Sequence, residues 1–386
     1  MKHLMAAATL ALLVACRDNP SDTAALHANL LTLDTHVDIP LDYMDAVDPN
    51  TDTDLQVDFA KMREGGLDAA FFIVYTPQTA VSEAGYAEAR EIAETRFRAI
   101  RRMVETYPDQ IGLARTADDV ERLVGEGKLA ALIGMENAYP LGPGLDDVEK
   151  WADRGVRYVG ITHFGANQFG DSSGTKDYED ESALSTHGGL SDLGRALVPA
   201  LNDAGILVDI SHAGDATAMQ AMELSRVPVI ASHSGADGAF DHHRNLSDDL
   251  LDALRDNGGV VQLVALGAYV QPWTEAQQAR IDALSPDLSE DERDAEMARI
   301  RALKPVTVAA YADHIDYVVD RIGIDHVGIA SDFDGGGGIE GWQDASQTQA
   351  VTEELRRRGY SREDIQKIWG GNVLRIMRAA EAAAKG

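Results

Sequence analysis

Residues 30–38, LLTLDTHVD, join a short apolar run to two metal-binding side chains, His36 and Asp38, at its C-terminal end. A similar arrangement returns in LAALIGMEN (residues 129–137) with Glu136, in GILVDISH (205–212) with His212, and in VPVIASHS (227–234) with His233. Continuous apolar runs of this length are typical of parallel strands that are covered on both faces. The sequence therefore predicts a parallel sheet whose strands end in ligand-type side chains.

Eight apolar runs occur along the chain, and segments with helical spacing separate most of them. The predicted strands are Leu30–Asp34, Ala69–Tyr75, Leu129–Met135, Val156–Thr162, Ile206–Ser211, Val227–Ser232, Gly259–Ala265 and His326–Ser331. This alternation, in a chain of 386 residues that is 45% hydrophobic, predicts a single (β/α)8 TIM barrel. Such a barrel brings the C-terminal ends of all its strands to one rim, so the ligand-type side chains would meet there.

Two segments depart from the repeat. Residues 275–303 form a charged, helix-prone insertion after the seventh strand, and this position places them on the same rim. The insertion could form a lid, make a subunit contact or simply be a solvated helical segment outside the barrel. Gly335–Gly338 follow the eighth strand, and they suit either a mobile loop at the mouth of the site or a permissive turn.

The N-terminal segment MKHLMAAATLALLVAC has the pattern of a targeting sequence, with an apolar stretch that is too short to span a bilayer. The run before Cys16, the only cysteine of the chain, resembles a bacterial lipobox. We therefore expect a lipoprotein signal peptide over 1–16, lipidation of Cys16, a tether over 17–29 and one catalytic domain over 30–386. The alternative is an ordinary signal peptide that contains a cysteine. The expected location is the bacterial cell envelope, facing the periplasm or the cell exterior.

The formal net charge of −30 indicates an acidic surface. Such a surface argues against nucleic acid and against anionic lipid as partners. The membrane contact that we expect is the lipid anchor at Cys16. The net charge says little about the substrate, because an active site can be locally positive inside an acidic protein.

The ligand-type residues fit a site for two metals. His36 and Asp38 are two positions apart at a strand end, so both side chains point the same way and can bind one metal. Glu136 can give one oxygen to each of two metals, and His212 with His233 can bind the second. Imidazole and carboxylate ligands suit Zn²⁺ best, with Mn²⁺ or Co²⁺ as alternatives. Two metals about 3.5–4 Å apart share a water molecule and lower its pKa, which predicts a metal-assisted hydrolase.

Each of these residues taken alone is more often a packed histidine or a loop-capping acid. The metal site is favoured because five ligand-type side chains fall on four strand ends of one barrel, which is where barrel chemistry is expected.

Further residues fit around such a metal pair. His163, at the end of the fourth strand, could polarise a substrate carbonyl and stabilise the oxyanion, or it could simply bond to the backbone. Asp332, after the eighth strand, could carry the proton from the attacking water to the leaving amine, and Asp334 is the competing candidate. Arg244, in the loop after the sixth strand, suits a substrate carboxylate or is an ordinary surface arginine.

At these residues the chain resembles the membrane dipeptidase (renal dipeptidase) family, a branch of the amidohydrolase-type barrels. The similarity runs from about residue 30 to the C-terminal helix. It is carried by DTHVD, GMEN, ITH, VDISH, ASHS, the Arg and Asn of HHRN, SDFDG and GGNVLRIM. Together these segments are specific, whereas DTHVD or SDFDG alone would not be.

The resemblance implies two zinc ions per chain, bridged by Glu136 and a hydroxide. It places His36 and Asp38 on one ion and His212 and His233 on the other. It further implies that His163 contacts the scissile carbonyl or the tetrahedral intermediate and that Asp332 transfers the proton. The C-terminal carboxylate of a dipeptide would be bound by Arg244 and Tyr269.

The resemblance also suggests a homodimer, although the mammalian members are linked by a disulfide for which this chain has no cysteine. Their lipid anchor is at the C-terminus, whereas the one expected here is at the N-terminus.

The sequence thus predicts a dinuclear zinc dipeptidase that acts on dipeptides with a free C-terminal carboxylate, including L-Xaa-D-Xaa. One alternative is another hydrolase on the same metals, acting on lactones, cyclic amides, β-lactams or phosphoesters. A second is a non-catalytic, surface-anchored peptide-binding lipoprotein.

Overall fold

The computed structural model describes residues 20–174, 186–285, 288 and 290–384. The predicted signal peptide over 1–16 and its Cys16 lie outside the described residues. Within the described ranges, no helix is both long enough and apolar enough to cross a membrane.

Ten parallel strands form the sheet, and eight of them make the wall of a barrel. The strands are β1 (Leu33–Val37), β2 (Ala69–Tyr75), β3 (Ile111–Leu113), β4 (Leu129–Glu136), β5 (Val156–Gly160), β6 (Leu207–Asp209), β7 (Ile230–Ala236), β8 (Asn245–Leu246), β9 (Val260–Val264) and β10 (Val327–Ala330). The order around the wall is β1-β2-β4-β5-β6-β7-β9-β10, with β3 paired to β4 and β8 paired to β7. All eight predicted barrel strands are present, with ends displaced by a few residues.

The barrel closes between its first and last strands. The Ser331 backbone N–H donates to Asp34 Oδ1 at 3.0 Å, and the Asp332 N–H donates to the His36 carbonyl at 3.1 Å. One step further along, the Asp38 N–H donates to the Phe333 carbonyl at 2.9 Å. The predicted (β/α)8 barrel is therefore confirmed, and its closure brings the chain after β1 beside the chain after β10.

Helices cover the outside of the barrel and its rims. They are α1 (Pro20–His27), α2 (Phe59–Gly65), α3 (Glu83–Thr106), α4 (Ala117–Gly125), α5 (Val148–Arg154), α6 (Asp192–Asp203), α7 (Asp215–Leu224), α8 (Asp248–Asn257), α9 (Gly267–Val270), α10 (Glu275–Asp282), α11 (Glu290–Arg301), α12 (Val308–Ile322), α13 (Gln349–Arg357), α14 (Arg362–Gln366) and α15 (Asn372–Ala383). Ser191 caps α6, and Ser361 with Asp364 forms the capping box of α14. A π-helical turn over Lys367–Gly371 joins α14 to α15.

The core divides into two main layers because neighbouring strand residues point to opposite faces of the sheet. On β2, Phe71 packs in one cluster with Leu33 and Leu132, while Phe72 packs in the larger cluster with Ile133. Both phenylalanines are almost fully buried. This two-sided burial explains why the strands read as continuous apolar runs.

The expected tether over 17–29 differs from the structure within its described part. Residues 20–27 form α1, and this helix packs against α13. The buried His27 holds it in place, with Nδ1 2.7 Å from Thr352 Oγ1 and Nε2 2.9 Å from the Gly65 carbonyl. Residues 20–27 are therefore part of the fold, because the buried hydrogen bonds of His27 hold a short helix that has no amphipathic pattern.

The insertion after β9 contains two helices, α10 and α11, which pack against each other. The buried side chain of Gln277 joins them, because its Nε2 donates to the carbonyls of Ile300 (3.0 Å) and Lys304 (3.3 Å). The helical character of the predicted insertion is confirmed over Glu275–Asp282 and Glu290–Arg301. We call these two helices the helical insertion.

Candidate metal centre and active-site cavity

The five predicted metal ligands meet at the C-terminal rim of the barrel, around the carboxylate that ends β4. Glu136 Oε1 lies 3.0 Å from His212 Nε2 and 3.3 Å from His233 Nε2. Its other oxygen, Oε2, lies 3.5 Å from His36 Nε2, which is also 3.5 Å from Asp38 Oδ2. We call these five residues the ligand cluster. The two oxygens of Glu136 face different imidazoles.

Two of the histidines are held from behind by hydroxyl groups. Tyr158 donates its O–H to the Thr35 carbonyl at 3.1 Å, so its oxygen accepts from Nδ1–H of His36, also at 3.1 Å. Ser232 donates its O–H to Asp209 Oδ2 at 2.7 Å and accepts from Nδ1–H of His233 at 2.9 Å. With Nδ1 acting as the donor in both rings, Nε2 faces the cluster. Hydrogen bonds of this kind orient metal-binding histidines and set their tautomer.

The electrostatics of the ligand cluster favour the binding of a cation. Burial lowers the pKa of His212 well below its usual range and that of His233 to about 3. Although burial opposes both effects, the carboxylates of Glu136 and Asp38 raise the pKa of His36, and His36 with His163 lowers the pKa of Glu136. The carboxylate of Glu136 is thus charged, and the imidazoles of His212 and His233 are neutral.

The residues of this rim fit a metal. His212 Nε2 and His233 Nε2 are only 2.9 Å apart, which is a close approach for two neutral rings that both face a carboxylate. Three overlapping groups each bring three ligand atoms within 4.8 Å of one another: His36, Glu136 and His233; Glu136, His163 and His212; His36, Asp38 and Asp332. These nitrogen and oxygen atoms are the ligands that borderline divalent metals prefer. The groups also include two residues predicted for other roles, His163 and Asp332.

Backbone conformation is unusual around the cluster. Among the described residues, four of the five non-glycine residues with positive φ follow barrel strands at this rim: Asn137 (74°), His212 (64°), Asp332 (58°) and Asp334 (61°). The left-handed region costs energy for residues with a Cβ and is occupied where surrounding contacts enforce it. The rim therefore holds strained residues, of which His212 and Asp332 turn their side chains toward the cluster.

The structure separates the two predicted proton-transfer candidates. Asp332 Oδ1 lies 3.8 Å from His36 Nε2, and burial beside other carboxylates raises the pKa of Asp332 to about 8. Asp334 instead uses its carboxylate on the backbone, accepting from the N–H groups of Gln56 (2.8 Å) and Val57 (3.3 Å). Asp332 is thus the one that faces the ligand cluster, while Asp334 anchors a neighbouring loop.

The glycine run after β10 forms a hydrogen-bonded turn, which agrees with the permissive turn that was one of its two predicted interpretations. The N–H groups of Gly335 and Gly337 both donate to the Asp332 carbonyl, at 3.1 and 2.7 Å. A Cβ on Gly335 would lie 2.2 Å from Asp38 Oδ2 and 2.7 Å from Asp332 Oδ1. Glycine is required there because the carboxylates of Asp38 and Asp332 occupy the space that a side chain would need.

His163 lies on the wall beside the ligand cluster. Its Nε2 is 3.7 Å from Glu136 Oε1, and its ring packs against Tyr75 and Phe164 at centroid distances of 4.8 and 4.6 Å. Burial lowers the pKa of His163, so the ring is neutral near pH 7. Among the described residues the imidazole makes no hydrogen bond to the backbone, and it faces the cluster, which argues against the alternative that His163 serves only the backbone.

Arg244 is buried, so the surface-arginine alternative is wrong. Its Nη2 donates to the His233 carbonyl at 3.3 Å, and its guanidinium carbon lies 5.4 Å from the ring centre of Tyr269 and 6.0 Å from that of Phe164. Both rings line the cavity, whereas Arg244 does not. The guanidinium is therefore packed behind Tyr269, and its Nε is buried with no partner among the described residues.

A cavity of about 800 Å³ opens above the ligand cluster, which is a usual size for a small-molecule site. Several of its residues were not predicted from the sequence. They are Tyr75 from β2, Arg96 from α3, Gln56 from the loop held by Asp334, and Arg301 from the helical insertion.

The residues that support the cluster from behind, Tyr158, Ser232 and Asn137, were also missed. Asn137 donates from Nδ2 to the Thr76 carbonyl and accepts at Oδ1 from Asn167, so it ties three rim segments together. Ser232 and Asn137 each adjoin a predicted ligand in sequence, which is a usable signal. Tyr158 had none.

The barrel, the convergent ligands and the cavity define a metal-dependent hydrolase of the TIM-barrel type. Residues 21–386 match the family model described as membrane dipeptidase, Peptidase family M19. The chain belongs to this family, and the resemblance drawn from the sequence is confirmed. It is therefore a dipeptidase with the metal-dependent amidohydrolase fold.

Individual relatives agree with this assignment. "Dipeptidase verJ" of Clonostachys rogersoniana is 31% identical over 379 residues, which cover 94% of this chain and 88% of the relative. The structure of the "probable dipeptidase PvdM" from Pseudomonas aeruginosa is 35% identical, with a TM-score of 0.84, and covers 94% of this chain and 98% of that one. A metallo peptidase from Rhodobacter sphaeroides, 23% identical with a TM-score of 0.75 over 91% of this chain and 99% of its own, shares the fold.

Proposed function

We propose that this protein is a dinuclear zinc dipeptidase that hydrolyses dipeptides with a free C-terminal carboxylate, including L-Xaa-D-Xaa dipeptides. The observation that carries the proposal is the carboxylate of Glu136, whose two oxygens face different imidazoles at 3.0–3.5 Å. A carboxylate in this position suits a bridge between two metals. His36 and Asp38 would hold one ion, and His212 and His233 would hold the other.

When bound, two divalent cations supply Lewis acidity toward a carbonyl and a lowered pKa for a water molecule. The remaining roles belong to the protein. His163, neutral and on the cavity wall, can donate a hydrogen bond to the oxygen of the scissile carbonyl and stabilise the charge that develops there. Asp332 can accept a proton and return it to the leaving amine, because its carboxylate faces the ligand cluster, with Oδ1 3.8 Å from His36 Nε2.

The substrate carboxylate is assigned to Tyr269 and Arg244. Tyr269 lines the cavity, and its ring lies against the Arg244 guanidinium, 5.4 Å from ring centre to guanidinium carbon. Arg244 brings a positive charge to a buried region, and its Nε has no partner within the described part of the chain. We propose that the Tyr269 hydroxyl, supported by this charge, binds the C-terminal carboxylate of the dipeptide.

A direct test measures metal content and hydrolysis on protein that lacks residues 1–16. The metal-free protein, and the protein reloaded with Zn²⁺, Mn²⁺ or Co²⁺, are assayed with L-Ala-L-Ala, L-Ala-D-Ala and L-Ala-D-Ala amide. The L,D pattern is included because the Rhodobacter sphaeroides enzyme was crystallised with a phosphinate mimic of L-Ala-D-Ala. The proposal expects about two zinc ions per chain and turnover of the free dipeptides.

The outcomes separate the parts of the proposal. Equal turnover of the amide would contradict recognition of the C-terminal carboxylate and would favour a cyclic-amide or β-lactam substrate. Zinc-loaded protein that turns over no dipeptide would contradict the proposed function as a whole.

We also propose that Cys16 carries a lipid that anchors the enzyme in the bacterial cell envelope. The support is the sequence before Cys16 and the absence of any other cysteine in the chain. Expression of the full chain and of a Cys16→Ser variant tests this. The proposal expects the wild type to enter a detergent phase and the variant to remain in the aqueous phase, and equal partitioning would contradict it.

A further inference from the structure

The helical insertion brings an arginine to the catalytic cavity. Arg301 is the last residue of α11, it lines the cavity, and its side chain is exposed there. The backbone on both sides of Arg301 is fixed, because Gln277 holds the carbonyls of Ile300 and Lys304 and Ile300 is fully buried. The guanidinium is therefore carried by an anchored segment, while its own side chain is exposed at the cavity.

Arg301 differs from the other arginine that lines the cavity. Arg96 donates from Nε to the Ile39 carbonyl at 3.2 Å and from Nη1 to the Tyr75 carbonyl at 3.0 Å, and it also stacks on the Tyr75 ring. Two of its five N–H groups are thus used within the protein, and its side chain is held against the Tyr75 ring. In the part of the chain that the structure describes, the Arg301 side chain has neither an ion pair nor a hydrogen bond.

Acidic residues outnumber basic ones by 64 to 34 in this protein, yet Arg301 has no ion pair within the described part of the chain. Arg299, two positions earlier on the same helix, pairs with Glu296 at 2.7 Å. At the cavity, Arg301 has five N–H donors in a planar fork that matches a carboxylate. An anionic group of the substrate would be a suitable partner for the Arg301 guanidinium.

We propose that Arg301 is a specificity-determining residue that binds a side-chain carboxylate of the substrate, so that the enzyme prefers dipeptides containing Glu or Asp. The proposal rests on the proposed dipeptide hydrolysis at the same site. The C-terminal carboxylate is present in every dipeptide and is assigned to Tyr269 and Arg244. A second, exposed cation therefore distinguishes dipeptides by a second carboxylate.

The test compares substrates that differ only in charge. L-Ala-L-Glu is paired with L-Ala-L-Gln, and L-Glu-L-Ala with L-Gln-L-Ala, together with the D-residue counterparts of the first pair. Values of kcat/KM are measured for the zinc-loaded wild type and for Arg301→Gln, Arg301→Lys and Arg299→Gln. The last variant is the matched control, since it removes an arginine of the same helix that already has a partner.

In at least one pair, the wild type should prefer the Glu substrate by about tenfold, mainly through KM, which is the scale of a partly exposed charge-assisted contact. The preference should disappear in Arg301→Gln, persist in part in Arg301→Lys and remain in Arg299→Gln. It should also weaken as ionic strength rises.

Three results would overturn the inference while leaving the proposed function intact. They are the absence of a Glu preference in every pair, a preference that survives in Arg301→Gln, and an equal loss for the Glu and Gln substrates in that variant. The equal loss would place Arg301 on the C-terminal carboxylate. A wild type that hydrolyses none of the dipeptides would overturn the proposed function and this inference with it.

Discussion

The ligand cluster and the helical insertion border the same cavity, but they are built in opposite ways. The cluster sits on barrel strands and on the residues that directly follow them, and His36, Glu136, His212 and His233 are at most 4% exposed. Its histidines are oriented by further buried groups such as Tyr158 and Ser232. The insertion is a pair of largely exposed helices held together through Gln277, and it presents Arg301, which has no partner among the described residues.

This difference separates the reaction from the choice of substrate. Groups that bind a metal or move a proton must be held in one geometry, and the barrel strands provide that rigidity. A group that selects among substrates must extend into the cavity. The sequence of a helical insertion on the rim can change without disturbing the barrel. Substitutions in the cluster should therefore affect metal binding and kcat, whereas substitutions in the insertion should affect KM and substrate preference.

The largest effect is expected at Asp332. Asp332→Asn removes the proton carrier, and kcat should fall by about 10²–10⁴-fold while the metal content stays near that of the wild type. Asparagine tolerates the left-handed backbone of this position, so the fold should be retained. Steady-state kinetics and metal analysis of the purified variant check this.

Asp334→Asn is the matched comparison. It weakens the acceptor for Gln56 and Val57 and should cost about 1–2 kcal/mol in unfolding free energy, with a smaller loss of kcat. If Asp334→Asn loses more kcat than Asp332→Asn, the assignment of the proton carrier is wrong.

Asp332 should also make the metal-free protein sensitive to pH. Its pKa rises from an ordinary 3.8 to about 8 in the folded state, so the native protein binds a proton that the unfolded chain releases. This stabilisation is fully present below about pH 4 and is lost as the pH rises toward 8. Between pH 5 and 7, the stability of metal-free wild type relative to Asp332→Asn should fall by up to about 1.4 kcal/mol per pH unit. Urea unfolding of both proteins measures it, and parallel pH profiles would refute the assignment.

Next in size are the hydroxyl groups behind the histidines. Tyr158→Phe and Ser232→Ala should each weaken metal affinity by about 10- to 100-fold, because they release the rings of His36 and His233. Competition with a chromogenic chelator gives the affinities. Tyr311→Phe is the control, since Tyr311 is also a buried tyrosine and donates only to the Leu263 carbonyl. Metal affinity that falls equally in the control would mean that the loss reflects general destabilisation.

The smallest effect on chemistry is expected from the insertion. Gln277→Leu leaves the carbonyls of Ile300 and Lys304 without their donor, which should loosen the segment that carries Arg301. KM for acidic dipeptides should rise about three- to tenfold, with metal content and kcat nearly unchanged. Amide hydrogen exchange should accelerate within residues 275–303 only.

Gln278→Leu is the control for this change, because among the described residues the Gln278 side chain bonds only to Asp282 on its own helix. Loss of metal or faster exchange throughout the barrel in Gln277→Leu would show that the insertion and the ligand cluster are not independent.

The sequence was most informative where chemistry and secondary structure coincide. His36, Glu136 and His233 each lie within or at the end of an apolar strand, so local pattern alone indicated both the fold and the site. Tyr158 could not be predicted, since it reaches His36 across 122 positions of the chain and is otherwise an ordinary strand residue.

His27 and Arg301 illustrate the other limits of sequence reasoning. The helix around His27 is held by contacts with Gly65 and Thr352, which are set by tertiary packing and not by any local amphipathic pattern. The charge of Arg301 is plain in the sequence, but its neighbours on α11 are also charged. Only the packing of the insertion shows which of these side chains reaches the cavity.

The most direct test of the central claim is anomalous X-ray diffraction at the zinc edge from crystals of the zinc-loaded protein. We predict two peaks per chain, both within about 2.0–2.2 Å of a Glu136 oxygen, with one beside His36 and Asp38 and the other beside His212 and His233. A single peak, or zinc bound away from Glu136, would contradict a two-metal site bridged by this carboxylate.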